Sequence, residues 1–291
     1  MFPKSLFFFI FIYLFISEYS LKSQGLPDVQ QAETELGRIL MKLKLTNDDS
    51  VRSDLNTHFY CLLEKTIRQP ESDTYPFDSL KSLVKITSPD KKFRLYQWDI
   101  PTSQGRYRYF AFIKTFDPLA PQIIPLTDFH DSIPFPDSAR LDEQHWFGAL
   151  YYTIIPCDSG MGKYYTLLGW AGQNALLTEK VIDVLYFDQQ GLVHFGCSVF
   201  PDFNHGTNTR VIFRYSASTS MTLKFLKSMN SVEKKGNKVK NVILFDQLIP
   251  MDPQLKNQHQ FYVPSGDVAD LFIFENHHWH FISGIEAKNS K

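Results

Sequence analysis

Asp128, His130 and Asp131 fall within four positions of one another in a stretch, residues 117–143, that is rich in proline and aspartate. Two carboxylates and an imidazole so placed could coordinate a cation or serve as acid and base. Acidic residues in loops also act as turn formers and caps. A connection of this length is unusual inside a compact domain and is often where function sits. His277, His278 and His280 form the densest histidine cluster. On a strand, His278 and His280 share a face and could reach one metal ion, with Glu275 or His259 as a third ligand. The competing reading, an exposed hairpin turning at Asn276-His277, carries more weight, and no metal site is assigned. Cys157-Asp-Ser-Gly-Met-Gly162 superficially matches the surroundings of a serine-protease nucleophile, but Cys stands where that pattern has Gly, and the glycines suit a hairpin turn. No nucleophile elbow, phosphate-binding loop or H-E-x-x-H pair occurs. Carboxylate pairs for glycoside cleavage are defined by their separation in space, so none is named. The four tryptophans, Trp98, Trp146, Trp170 and Trp279, could stack on a sugar ring or a peptide. Ordinary core burial, about 1.5–3 kcal/mol for a large apolar side chain, explains them without a ligand. Trp170 is the exception, because Gly169 and Gly172 set it beside a bend from which it can project. The ligand-binding candidates are therefore Trp170, Asp128, His130 and Asp131. No catalytic residue, metal or cofactor is assigned.

These residues must be positioned by the elements around residues 163–200, the stretch that organises the chain. Val181-Ile-Asp-Val-Leu-Tyr-Phe187 is mostly β-branched or aromatic. Val181, Leu185 and Phe187 alternate with Ile182, Val184 and Tyr186, so both faces are apolar. Such a strand is covered on both sides and belongs near the middle of a sheet. Asp188-Gln-Gln-Gly191 is a turn, and residues 192–200 return as the next strand.

Upstream, Val29, Ala32, Leu36, Ile39, Leu40 and Leu43 recur at helical spacing after Asp28, a candidate N-cap. Asn47 or Asp48 caps a second helix with the stripe Val51, Leu55, Phe59, Leu62, Leu63 and Ile67, stopped by Pro70. Both stripes are expected to pack on the protein's own sheet. From Leu83 the texture becomes β. Residues 84–86 and 93–98 are strands around a Ser88-Pro-Asp90 turn, and residues 106–114 return after a turn at 101–105, with Arg106 and Arg108 opposite Tyr107 and Tyr109. Strand patterns resume at 146–155, 210–215, 221–226 and 239–248. Tyr262-Val-Pro264 reads as a link, and a hairpin ends the chain. About ten strands joined by short links must pair largely antiparallel.

The first residues are set apart. Lys4 precedes an uninterrupted apolar run at residues 6–16, too short for a comfortable membrane span, and Glu18 ends it. This is the pattern of a secretory signal peptide cleaved between Ser20 and Gly25, with an uncleaved anchor as the alternative; no later segment could span a bilayer as a helix. A net charge of -1 leaves no electrostatic footprint for nucleic acid. Three cysteines, Cys61, Cys157 and Cys197, match no zinc or redox spacing. One Cys157–Cys197 disulfide and three buried thiols are both compatible with them.

Tyr75-Pro-Phe-Asp-Ser-Leu80, Ser88-Pro-Asp-Lys-Lys-Phe-Arg94 with Trp98, Tyr165-Thr-Leu-Leu-Gly-Trp170, Lys180-Val-Ile-Asp-Val-Leu-Tyr-Phe-Asp188, Val211-Ile-Phe-Arg-Tyr-Ser216 and His259-Gln-Phe-Tyr262 together resemble a family of uncharacterised exported proteins from Bacteroidetes bacteria. The resemblance covers nearly the whole chain after the apolar run. It implies bacterial export and one shared architecture, and it carries over no activity, ligand or catalytic residue.

The expected fold is α+β: a signal peptide (1–23), a helical hairpin (24–82) and an antiparallel β domain (83–291). The hairpin packs on a large β-meander, a twisted sheet or partly closed barrel ahead of a propeller-like array. The expected function is non-catalytic binding of an envelope protein or polymer in the periplasm or at the cell surface. A hydrolase acting on an envelope polymer is the alternative.

Overall fold

A computed structural model describes residues 28–160, 162–230 and 238–286. The expected signal peptide lies outside them, as does most of the stretch 233–238, which the sequence reads as a lysine-rich hairpin turn. Two helices, α1 (Val29–Leu45) and α2 (Asp49–Ile67), open the described chain. Asp48 caps α2, its Oδ1 accepting from the backbone N–H of Ser50 and Val51. Asp28 occupies the corresponding position of α1 without a side-chain bond. The α1 stripe is buried as its spacing predicts. The buried face of α2 is rotated from the expected one: Val51 is exposed, while Arg52, Asn56, Phe59, Leu63, Thr66 and Ile67 face inward. The polar members are turned in by partners, since Asn56 Oδ1 accepts the Trp98 indole N–H at 2.8 Å and Thr66 Oγ1 donates to the Leu62 carbonyl.

Fourteen strands follow among the described residues, in three antiparallel sheets. The first holds β1 (Val84–Thr87), β2 (Phe93–Pro101), β3 (Tyr107–Thr115) and β4 (Ile123–Thr127) in sequence order. The second has the order β5-β9-β8-β7-β6, with β10 also paired to β8. Its strands are β5 (Leu141–Asp142), β6 (Leu150–Asp158), β7 (Lys163–Gly172), β8 (Leu177–Phe187), β9 (Val193–Phe195) and β10 (Val211–Ser216). The third is the meander β11 (Leu223–Asn230), β12 (Lys238–Pro250), β13 (Tyr262–Glu275) and β14 (His278–Glu286). None closes into a barrel.

The expected meander is thus divided into three sheets that stack face to face under the helices, in four layers. Alternation along β2 and β3 assigns the faces. Tyr96, Trp98 and Phe112 join the helical core, whereas Phe93, Leu95, Tyr109, Ala111 and Ile113 join a second core with Tyr165, Leu167, Val181 and Leu185. Ile182 and Val184, on the opposite face of β8, enter a third core with Ile243, Phe245, Phe272 and Trp279. β8 therefore lies inside its sheet with both faces covered, as its composition requires.

Three local readings are corrected. Residues 117–143 are not one loop, since they contain β4, an edge strand, where Pro125 costs no ladder bond, a short 3-10 turn at His130–Ser132, and β5. The strand expected from Trp146 begins only at Leu150. Gly148 at φ 72° breaks the extended run, and a Cβ there would overlap Asp128 Oδ1. Tyr262-Val-Pro264 is the first part of β13, paired with Pro250, Ile249 and Leu248.

Buried polar groups tie the layers together. Gln97 in β2 reaches across to β6, donating to the Tyr151 carbonyl at 3.0 Å and accepting from its N–H at 2.8 Å, beside a register shift in β6. Asp183 and Arg210, both fully buried, pair at 3.0 Å. Tyr151 donates to Asp183 at 2.9 Å, and Arg210 donates to the carbonyls of Pro136 and Ala139, fixing the segment between the His130 turn and β5.

Candidate functional site

A polar cleft of about 410 Å³ opens where the first and second sheets meet beside the start of α2. The 128–132 segment forms one wall with Asp128, His130 and Asp131. The β2–β3 turn and the start of β3 form another with Gln104, Arg106 and Arg108, and the turn after β7 contributes Gln173. The structure thus brings together three of the four candidates read from the sequence. Trp170 does not line the cleft. It stands edge-on to Tyr107, ring centres 5.5 Å apart, and backs that lining residue. Gly172 permits this contact, since a Cβ there would come within 2.7 Å of the Trp170 ring and 2.8 Å of Tyr107.

Each titratable candidate is engaged by the protein. Asp128 Oδ2 accepts the Tyr109 N–H at 2.9 Å, and Oδ1 accepts the His130 N–H at 3.1 Å. Burial pushes its carboxyl above the ordinary aspartate value, against the pull of those two N–H groups. Asp131 pairs with Arg106 at 2.8 Å. His130 Nδ1 lies 2.7 Å from the Phe147 carbonyl, so that nitrogen carries a proton. Its Nε2 lies 3.2 Å from Glu179, a carboxylate whose side chain is 4% exposed. Burial alone would lower the imidazole value, but the Glu179 bond and charge outweigh it and raise His130 above the usual range. The Gln173 amide touches both partners, 2.5 Å from Nε2 and 3.1 Å from Glu179 Oε2. Protonated, Nε2 donates to Glu179; deprotonated, it accepts from Gln173, so both states keep a partner. On its far side Glu179 accepts from Arg214 at 2.9 Å, and Arg214 reaches Asp137 at 3.4 Å. Opposite charges alternate along this chain and offset the cost of burying Glu179.

Glu179, Gln173 and Arg108 were not read as site residues from the sequence. A glutamate within the apolar run of β8 was the available signal for Glu179. The alternation of Arg106 and Arg108 with tyrosines was the signal for the cleft wall. The other motifs lie elsewhere. Cys157 to Gly162 spans the β6–β7 hairpin, where Ser159 Oγ donates to the Gly162 carbonyl. Asn276 and His277, both at positive φ, form the β13–β14 turn. His277 meets the Asp158 carbonyl, His278 the Asn276 carbonyl and His280 the Asp202 carboxylate. No group of three His, Cys, Asp or Glu among the described residues is placed to hold a metal ion. All three cysteines are free thiols, and Cys61 is exposed rather than buried. No helix among the described residues is long and apolar enough to cross a membrane. No family model, curated protein or solved structure matches this chain.

Proposed function

We propose that this chain is a non-catalytic binding protein, exported to the periplasm or cell surface, that holds a polar envelope component in the cleft around Arg108. One observation carries the reading. The groups that could move protons, Asp128, His130 and Asp131, are held by protein partners, whereas the side chains of Arg108 and Gln104 at the rim make no hydrogen bond or ion pair among the described residues, the Arg108 guanidinium lying over the Phe110 ring. A wall braced by its own bonds with open donors at its rim suits recognition more than turnover. His130 is bonded to the Phe147 carbonyl, the Gln173 amide and Glu179 rather than to a hydroxyl or thiol nucleophile, which favours binding over the hydrolase alternative. Export rests on Lys4 with its apolar run and on the resemblance to exported Bacteroidetes proteins.

The test titrates the purified chain, starting near Gln24, with peptidoglycan and lipopolysaccharide fragments by calorimetry, and follows the fragments by chromatography. Saturable binding with intact fragments is expected, weakened about tenfold or more in Arg108→Ala. Fragment cleavage that disappears in His130→Gln would replace this reading with the hydrolase.

A further inference from the structure

Three polar groups meet at the cleft wall, and they cannot all bond at once. His130 Nε2 lies 2.5 Å from the Gln173 amide nitrogen and 3.2 Å from Glu179 Oε2, and the same amide nitrogen lies 3.1 Å from Glu179 Oε2. The carboxylate fixes which end of the amide faces it, because an ionised carboxylate accepts and only the NH2 end donates. The other ring nitrogen is committed, since Nδ1–H donates to the Phe147 carbonyl at 2.7 Å. The Gln173 nitrogen therefore approaches Nε2 as a donor, and an amide nitrogen is not an acceptor. That contact exists only while Nε2 is unprotonated. Once Nε2 carries a proton, two N–H groups face each other across 2.5 Å, and one of them must leave.

Which one leaves is set by what else each holds. The His130 residue is tied by its backbone N–H to Asp128 and by Nδ1 to Phe147, and a protonated Nε2 gains a charge-assisted bond to Glu179. Glu179 loses nothing, because Arg214 serves Oε1 at 2.9 Å and the imidazolium serves Oε2. The Gln173 side chain has no further bond among the described residues, and it lines a cleft of about 410 Å³ into which it can turn. We infer that the His130 proton positions the Gln173 amide: the neutral imidazole holds it in the wall, and the imidazolium releases it into the cleft, so that the cleft presents different hydrogen-bonding groups in acid and in alkaline solution.

The charged groups that bear on this proton are Glu179 on β8, with Arg214 on β10 behind it, and Asp128 and Asp131 of the His130 segment, Asp131 being taken by Arg106. The stretch at Phe147 and the turn after β7 face the ring with a carbonyl and an amide, which carry no charge. His259 feels Arg214 and Glu179 in turn and is held below the usual histidine range, by burial first. The raised value of His130 puts the change above the ordinary histidine value of about 6.5.

The experiment is nuclear magnetic resonance of the purified chain, with isotope-labelled glutamine and histidine, titrated from about pH 5 to about pH 9. The signals of interest are those lost in His130→Gln and in Gln173→Ala. The Gln173 amide signals should move with the same midpoint as the His130 ring. The nuclear Overhauser contact between the Gln173 amide hydrogens and that ring should be present above the midpoint and lost below it. Gln173→Ala removes the donor that favours the neutral ring and should raise the His130 midpoint, whereas Glu179→Gln removes the charge that favours the imidazolium and should lower it. Gln122→Ala, which removes an amide outside the cleft, should leave it unchanged, and thermal midpoints check that each variant folds. If Glu179→Gln fails to fold, the half-buried Gln173 position decides the matter alone. A His130 midpoint that stays or falls in Gln173→Ala would overturn the inference. An Overhauser contact that persists below the midpoint would overturn it equally.

Discussion

At His130 a partly buried imidazole sits between a backbone carbonyl and a buried carboxylate, and this makes its charge part of the fold. Its value is raised in the folded state, so the protonated form is favoured by folding. The resulting stabilisation is fully present below the unfolded value of about 6.5 and is lost as pH rises through the higher folded value. The stability gap between wild type and His130→Gln should therefore be widest in mildly acid solution and narrow as pH is raised through neutrality and above. Urea unfolding across that range measures it, and a gap that widened with pH would contradict the Glu179 pairing. None of this coupling was legible at Asp128, His130 and Asp131 themselves, because the decisive partner, Glu179, is 49 positions away on β8.

The helix α2 shows how a partner can rotate an element away from its apolar stripe. Leu55 and Leu62 are half-buried and Val51 is exposed, while Asn56 is buried against Trp98. Periodicity placed the helix correctly and its face about one position wrong, since a satisfied polar residue packs as readily as an apolar one. Removing the satisfaction reverses that. Asn56→Ala leaves the fully buried Trp98 N–H without its acceptor and should cost about 1–3 kcal/mol in urea unfolding. Trp98→Phe in the same background should recover part of the loss, because the orphaned donor is removed. On α1, Glu33 tells a similar story. It is nearly buried, accepts from Tyr75 and from the backbone and hydroxyl of Ser79, and anchors the segment leading to β1. Burial would raise its carboxyl, but those bonds prevail and hold it below the ordinary glutamate value.

Across the whole molecule, the four layers depend on a few side chains that bridge sheets. Trp279 in β14 is fully buried, donates its indole N–H to Thr166 in β7 at 2.9 Å, and donates its backbone N–H to the Val199 carbonyl. Trp279→Ala should cost about 3–5 kcal/mol, the range for a large aromatic removed from a packed core. The loss should appear in denaturant unfolding as a lower midpoint; an unchanged midpoint would mean that the third sheet does not support the second. The candidate cleft sits at the junction of the first two sheets, and neither Trp279 nor its partners Thr166 and Val199 line it. Trp279→Ala protein that remains folded should therefore retain its ligand affinity, which calorimetry can compare directly.

The sequence by itself determined the helical hairpin, the antiparallel pairing, the central place of β8 and the region of the cleft. Each follows from local chemistry: helical spacing after a capping residue, strands linked too tightly for parallel crossovers, a run apolar on both faces, and acidic residues crowded near prolines. Only the tertiary structure decided how the meander divides into three sheets, because alternation marks two faces of a strand without naming what covers each. It alone set Glu179 beside His130, since that pair joins residues 49 positions apart. It also moved Trp170 from the cleft wall to a position behind it, where Gly172 lets the indole lie against Tyr107. The spacing of residues along a chain specifies neighbours within an element, whereas the register and stacking of sheets specify neighbours between elements.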